Sequence, residues 1–364
     1  MLEAAAYSTA YLTLVAILTF VIKGKYALYD NSRLHRQTKT SSVNALALFI
    51  VLSLIIGFRP LSYVFVDTMN YKSTYYTFCY GRPFQWDWHS QNFIFDNIFH
   101  GLGSCRADIS VVFVVISFIY FGGLYLACRK LFPQDTLYAF VIYLGAFSTF
   151  SYATNGIKAG AAASLFLCAF AYKDKKILAI LFLILSLGFH HSMTLPIGAY
   201  VAASFYKNSR AYFAFWILCI LIAAAHITAL QELFASMSDE SGASYLSTSN
   251  SGFRTGFRPD FIFYSSFPVL AGYYAIFKHG YQSKFYKFLF NTYLLTNSIW
   301  MLCMYASFTN RIAYLSWFML PIVLVYPFFD KEFVSNQYKK LNKVAVGHLM
   351  FTVLMQVVYY AFLK

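Results

Sequence analysis

The chain has 364 residues, 59% hydrophobic and only 12% charged, whereas a soluble domain carries about 25% charge, so an ordinary soluble protein is excluded. Its net charge of +14 would suit a nucleic-acid partner in a soluble domain, but most of the 28 Lys and Arg fall in short loops between apolar runs. That is the positive-inside pattern of a polytopic membrane protein, and no nucleic-acid partner is expected.

In chain order, apolar runs near 7–22, 43–58, 109–128, 137–153, 157–172, 177–189, 193–206, 211–234, 261–277, 288–307, 312–329 and 344–363 predict an all-α fold of about twelve transmembrane helices in one integral membrane domain over 1–364. The runs 177–189 and 193–206 are each shorter than the ~20 residues a crossing helix needs, and together are too long for one. Reading them as a short hairpin keeps the basic loop at 278–287 on the cytoplasmic side and leaves both termini outside. The first run lacks a small-residue cleavage site and is followed by a basic loop, so no signal peptide is expected. No internal repeat is visible, which weighs against a transporter built from inverted repeats.

Two longer connections face outward in this topology. The first, 59–108, is rich in aromatics, with Trp86, Trp88, Phe93, Phe95 and Phe99 spaced as in an interfacial amphipathic segment. The second, 236–260, is rich in Ser and Gly. Cys79 and Cys105 share the first connection and are a candidate disulfide in an oxidising compartment; the other four cysteines lie in apolar runs, where a thiol behaves as a small hydrophobe.

The chemistry-bearing residues cluster in Asn155–Pro196. Asn155, Gly156 and Lys158 head an apolar run whose first turns, Gly160 to Ser164, are small enough for close helix approach. His190-His191-Ser192 stands at the tip of the short hairpin, at membrane depth, with Lys158 expected to be unpaired nearby in sequence. An ionisable residue at such depth points to function, and imidazole exchanges a proton near neutral pH, as a general base for a hydroxyl nucleophile must. Outward cations stand beside span ends: Arg59, Lys158, Arg254, Arg258 and Arg311. Several cations at one membrane face suit an anionic ligand, and the Arg fork matches phosphate oxygens. Asp67 lies four residues before Tyr71, on one face if the segment is helical, and is placed to pair with Arg59, orient a sugar hydroxyl or take its proton. Asp96 and Asp260 are further acids. Neither an H-E-x-x-H motif nor a carboxylate within a turn of the His pair is present, so no metal and no cofactor are expected.

These residues resemble, in order and across nearly the whole chain, the EpsG-like group of Wzy-type bacterial polysaccharide polymerases (O-antigen, capsule and exopolysaccharide). In that group an Arg and an Asp-x-x-x-Tyr follow the second span, similar to Arg59 and Asp67 to Tyr71. An Asn-Gly-Ile-Arg-Gln element then opens a span and a His-x-Ser follows, similar to Asn155 to Lys158 and His190-His191-Ser192. An Arg with a Tyr three residues on begins a late span, similar to Arg311 and Tyr314. Where the group has Arg-Gln this chain has Lys158-Ala159, which keeps the charge but loses the fork.

The resemblance implies a GT-C-like membrane glycosyltransferase in the bacterial inner membrane with its site facing outward. Donor and acceptor are implied to be oligosaccharide units on undecaprenyl diphosphate, with a separate chain-length regulator and a flippase as further partners. His190, His191 or Asp67 would act as base; Arg254, Arg258 and Arg311 would hold the donor diphosphate; Arg59 would orient the acceptor. The rivals are a ligase moving glycan to another acceptor, a transporter of the same lipid-linked sugar, and a membrane acyltransferase.

Overall fold

The computed structural model describes residues 3–27, 38–81, 83–235, 256–306 and 309–362, and among these it is all-helical with no strand. The chain divides into two compact units, one of 1–190 and 336–364, the other of 191–335.

The first unit contains α1 (Ala6–Ala27), α2 (Thr38–Gly57), α3 (Thr68–Cys79), α4 (Phe93–Ser104), α5 (Ile109–Leu131), α6 (Thr136–Leu144), α7 (Phe147–Thr154), α8 (Ile157–Ala171), α9 (Lys176–Phe189) and, from the far end of the chain, α17 (Gln337–Phe362). The second contains α10 (Thr194–Phe205), α11 (Ser209–Ala224), α12 (Gln231–Ala235), α13 (Pro259–Tyr273), α14 (Lys284–Leu302), α15 (Thr309–Trp317) and α16 (Leu320–Asp330).

Helix starts follow local chemistry. Asp108 accepts from the Ser110 N–H at 2.8 Å to cap α5, Asn208 accepts from Arg210 to cap α11, and Pro259 opens α13 where its missing N–H costs nothing. The apolar α5 ends on Arg129 and Lys130, cations at the negative end of the helix dipole.

Among the described residues four segments are long and apolar enough to cross a membrane: Ala6–Lys25, Ile109–Leu131, Thr309–Asp330 and Gln337–Val358. The run expected as one span at 137–153 is instead the pair α6 and α7, bent by 76° at Gly145-Ala146; counted together they make a fifth. Shorter apolar helices cover Ser41–Gly57, Ile157–Ala171, Lys176–Phe189 and Ser209–Ala224. The chain is a multi-pass membrane protein, and the two short runs around His190 are separate helices, α9 and α10.

In the first unit α8 is packed between α5 and α9. Its small residues allow this: the Ser164 hydroxyl reaches the Ile119 carbonyl of α5 at 3.3 Å, and Ser186 of α9 donates to the Ala162 carbonyl at 2.8 Å. The second unit is built around α14, whose Asn297 side chain donates to Ser265 of α13 at 3.0 Å and Ser316 of α15 at 2.9 Å, and accepts from the Trp216 indole of α11 at 2.8 Å. Four helices thus share one buried amide, a polar node that an apolar interior tolerates only because all its bonds are made.

Residues 59–108, expected as a loop with an interfacial segment, fold instead into a 3-10 turn at Tyr63–Phe65 followed by α3 and α4. The aromatics divide between two environments: Phe95 and Phe99 are buried against Tyr71 and Tyr75, whereas Trp86 and Trp88 are exposed. Cys79 and Cys105 are free thiols. Most of the second expected loop, 236–255, lies outside the described residues, and Arg254 with it.

Candidate functional site

The first unit holds Arg59, Asp67, Tyr71, Asp96, Asn155, Lys158 and His190 of the sequence candidates. Gly57 ends α2 where a Cβ would fall 2.6 Å from the Val114 Cα, so only glycine lets α2 approach α5 this closely. Pro60 stops further helix, and Arg59 between them turns into the unit at 3% exposure. Its guanidinium lies 4.1 Å from the Phe113 ring and donates to the Ile56 carbonyl at 3.1 Å and the Thr154 carbonyl at 3.0 Å. No carboxylate reaches it among the described residues, and its Nε has no hydrogen-bond partner. Burial pushes its pKa down to about 10, against the opposing influence of Tyr71 and Tyr7, so it stays a cation at neutral pH.

Thr154 ends α7 and Asn155 follows it, with a buried side-chain oxygen, Oδ1, that has no partner. Two residues later α8 begins and carries Lys158 in its first turn. Lys158, expected unpaired, lies 3.1 Å from Asp96 Oδ1 and 4.9 Å from the centre of the Phe95 ring. The pairing was hidden because α4, which supplies Asp96, comes from a stretch expected to be loop. Asp96 also accepts a short hydrogen bond from Ser90.

Asp67 and Tyr71 are on one helical face as their spacing predicts: the Tyr71 N–H bonds to the Asp67 carbonyl at 3.0 Å as α3 begins. The Tyr71 ring stands 6.1 Å from Phe95 and 6.5 Å from Phe113. One aromatic wall, Phe113, Tyr71 and Phe95, therefore runs between the Arg59 and Lys158 cations.

His190 closes α9 at the boundary of this unit. Gly188, two residues earlier, packs so tightly on α4 that a Cβ would fall 2.6 Å from Ile94 Cδ1. His191 begins the second unit in a 3-10 turn.

In the second unit Arg258 makes two parallel bonds to Asp260, Nε to Oδ1 at 3.0 Å and Nη2 to Oδ2 at 2.6 Å, and lies 3.6 Å from the Phe261 ring centre. Its fork is occupied, unlike the free anion ligand read from sequence. Burial alone would raise the Asp260 carboxyl, but the Arg258 fork and charge hold it below its ordinary value of 3.8. Arg311 is exposed in the first turn of α15, and Tyr314 one turn on stacks 5.4 Å from Trp317. Among the described residues no three His, Cys, Asp or Glu side chains are grouped to hold a metal.

Residues 42–363 fit the family model described as the EpsG family. The chain belongs to the EpsG family. EpsG proteins are related to Wzy-like polysaccharide polymerases, so this membrane chain falls among the machinery of polysaccharide synthesis. No curated protein and no solved structure matches it significantly.

Arrangement supplies the rest. In the first unit two cations of different character flank an aromatic wall: Arg59, sealed and without a counter-charge among the described residues, and Lys158, shared with Asp96. The Asp96–Lys158 pair is not legible in the sequence, although Ser90 and Asp96 in an aromatic run are a visible polar signal.

Proposed function

We propose that this EpsG-family protein is a polysaccharide polymerase of about twelve crossings and GT-C-like architecture, its site on the outer face of the bacterial inner membrane. It transfers a growing glycan from an undecaprenyl-diphosphate carrier to a hydroxyl of an incoming lipid-linked repeat unit. The acceptor oxygen bonds to the anomeric carbon, the bond from that carbon to the diphosphate oxygen breaks, and the lipid diphosphate leaves with the electron pair. The hydroxyl proton passes to His190, His191 or Asp67.

The observation that supports this reading is Arg59, a buried cation that no carboxylate reaches among the described residues, with an open Nε and a bond to the carbonyl of Thr154, the residue before Asn155. A cation so placed is costly to the empty protein and is stabilised by an anion. Negative charge growing on a leaving diphosphate is stabilised most by donors fixed beforehand in a low-dielectric setting. Lys158, whose charge is shared with Asp96, stabilises a second phosphate oxygen, and Tyr71 and Asn155 orient the sugar. Arg254, Arg258 and Arg311 with Tyr314 are proposed donor ligands on the strength of the motif order; Arg258 must first leave Asp260.

The test uses purified protein, a lipid-diphosphate repeat unit and no nucleotide sugar, with products separated by length. A ladder is expected from wild type and none from Arg59→Ala, His190→Ala or Arg311→Ala protein of normal stability. Movement of the lipid-linked sugar across liposomes without a ladder would mean a transporter, and a single transfer to a different acceptor would mean a ligase.

A further inference from the structure

Tyr7 stands in the first turn of α1, before the residues that match the family, and belongs to none of the motifs above. Its ring is buried, at 5% exposure, edge-on to Phe65 with centroids 5.6 Å apart at 89°. Phe65 is itself buried and lies 5.7 Å from the Arg59 guanidinium, and Tyr7 is close enough to feel the Arg59 charge. One ring therefore links the start of α1 to the cation at the end of α2.

Tyr11, one turn further along the same face of α1, offers a direct comparison. It is buried to the same 5%, and its hydroxyl donates to the Leu144 carbonyl at 2.8 Å. A buried phenol ordinarily finds such a partner. The Tyr7 hydroxyl has none among the described residues. Nor does Tyr7 fit a membrane belt, whose rings face lipid and headgroups, because it is turned into the unit against Phe65. A phenylalanine would pack there equally well, so packing gives no reason for the oxygen.

Arg59 supplies a reason. Its Nη1 donates to the Ile56 carbonyl, and its Nη2 to the Thr154 carbonyl and, at 3.5 Å, to the Thr68 hydroxyl, while Nε meets nothing. Two donors without acceptors, Arg59 Nε and the Tyr7 O–H, thus accompany a positive charge that no carboxylate among the described residues reaches. A neutral hydroxyl would satisfy a donor and leave the charge unanswered. An oxyanion, which only accepts, answers both donors and the charge.

We infer that the Tyr7 hydroxyl is a further ligand of the Arg59 anion site, donating to a phosphate-type oxygen, and that α1 is part of the binding machinery. That the anion is the diphosphate of a lipid-linked sugar rests on the polymerase reading; the site itself rests on Tyr7, Phe65 and Arg59.

The experiment uses the full chain in nanodiscs, with inorganic diphosphate as the calorimetric probe. Tyr7→Phe removes one oxygen and keeps the ring on Phe65. It is expected to weaken diphosphate binding about tenfold, equivalent to about 1.4 kcal/mol, with the melting temperature unchanged. Tyr11→Phe is expected to do the reverse: it loses the bond to Leu144, melts earlier and binds diphosphate as wild type does. In the polymerisation assay Tyr7→Phe raises KM about tenfold with kcat nearly unchanged. Weakened diphosphate binding with an unchanged KM upholds the site and makes its ligand the free ion, not the lipid-linked substrate. Wild-type diphosphate affinity in Tyr7→Phe, or a wild type that binds no diphosphate, would overturn the proposal and leave Tyr7 as a core ring. Tyr7-dependent binding in a protein that yields no ladder would uphold the site and sink the polymerase reading instead.

Discussion

Arg59 donates to the carbonyl of Thr154 at 3.0 Å across 95 positions of sequence. That bond joins the end of α2 to the end of α7 and seats a cation one residue from Asn155, so two motifs that are separately weak become one site. Because no acid among the described residues answers Arg59, function and stability pull against each other there.

Replacing Arg59 by Met is expected to raise the thermal stability of the unliganded protein by about 1–4 kcal/mol while abolishing polymer formation, since a buried unpaired cation is exchanged for an apolar chain of similar length. The pH dependence has a definite sign. Burial lowers the folded-state pKa to about 10, so the penalty is present below that pH and is relieved as the pH rises through it. Melting curves in detergent at neutral pH and near pH 10 should show the gap between variant and wild type narrowing; a wild type that is the more stable at neutral pH would remove the argument.

Lys158 and Asp96 separate a structural pair from a working one. Lys158→Met and Asp96→Asn are each expected to reduce polymer yield roughly 10²-fold. The charge swap, Lys158→Asp with Asp96→Lys, restores folding without restoring activity if Lys158 touches phosphate. Recovery of the ladder in the swapped protein would make the pair purely structural.

Asp260→Asn should release the Arg258 fork. The expected result is tighter binding of inorganic diphosphate, about tenfold by calorimetry, and weaker binding in Arg258→Ala. Since Arg258 holds the Asp260 carboxyl below 3.8, the pair is present above that value and is lost only as pH falls through the depressed pKa. Identical diphosphate affinity in all three proteins would leave Arg258 as a helix-end anchor.

Asn297 has a wholly structural role in the second unit. Asn297→Leu leaves the Trp216 indole without its acceptor, at about 1–3 kcal/mol for an orphaned buried donor, and takes one donor each from Ser265, which keeps the Trp317 indole, and Ser316, which keeps its bond to the Ala313 carbonyl. Loss of detergent-soluble protein or a clearly lower melting temperature checks this, with no change expected in the KM of whatever folded fraction survives.

Composition alone determined that this chain is helical and membrane-bound, because an apolar backbone in lipid must satisfy its own hydrogen bonds. Motif order pointed to the EpsG family, and the period of Asp67 and Tyr71 gave their shared face. What sequence could not fix were bends and partners. The run at 137–153 is continuously apolar, yet α6 and α7 part at Gly145, because hydropathy reports burial and not direction. Lys158 read as unpaired because Asp96 lies 62 positions away, in an outward connection whose aromatic spacing gave an amphipathic segment but not the element it packs on. Arg258 read as a phosphate fork although its partner was two residues on, since proximity in sequence does not reveal which way a long side chain turns. The tertiary structure decided the pairing: Lys158 meets Asp96 and Arg258 meets Asp260, whereas Gly57 and Pro60 turn Arg59 into an aromatic interior where, among the described residues, no carboxylate reaches it.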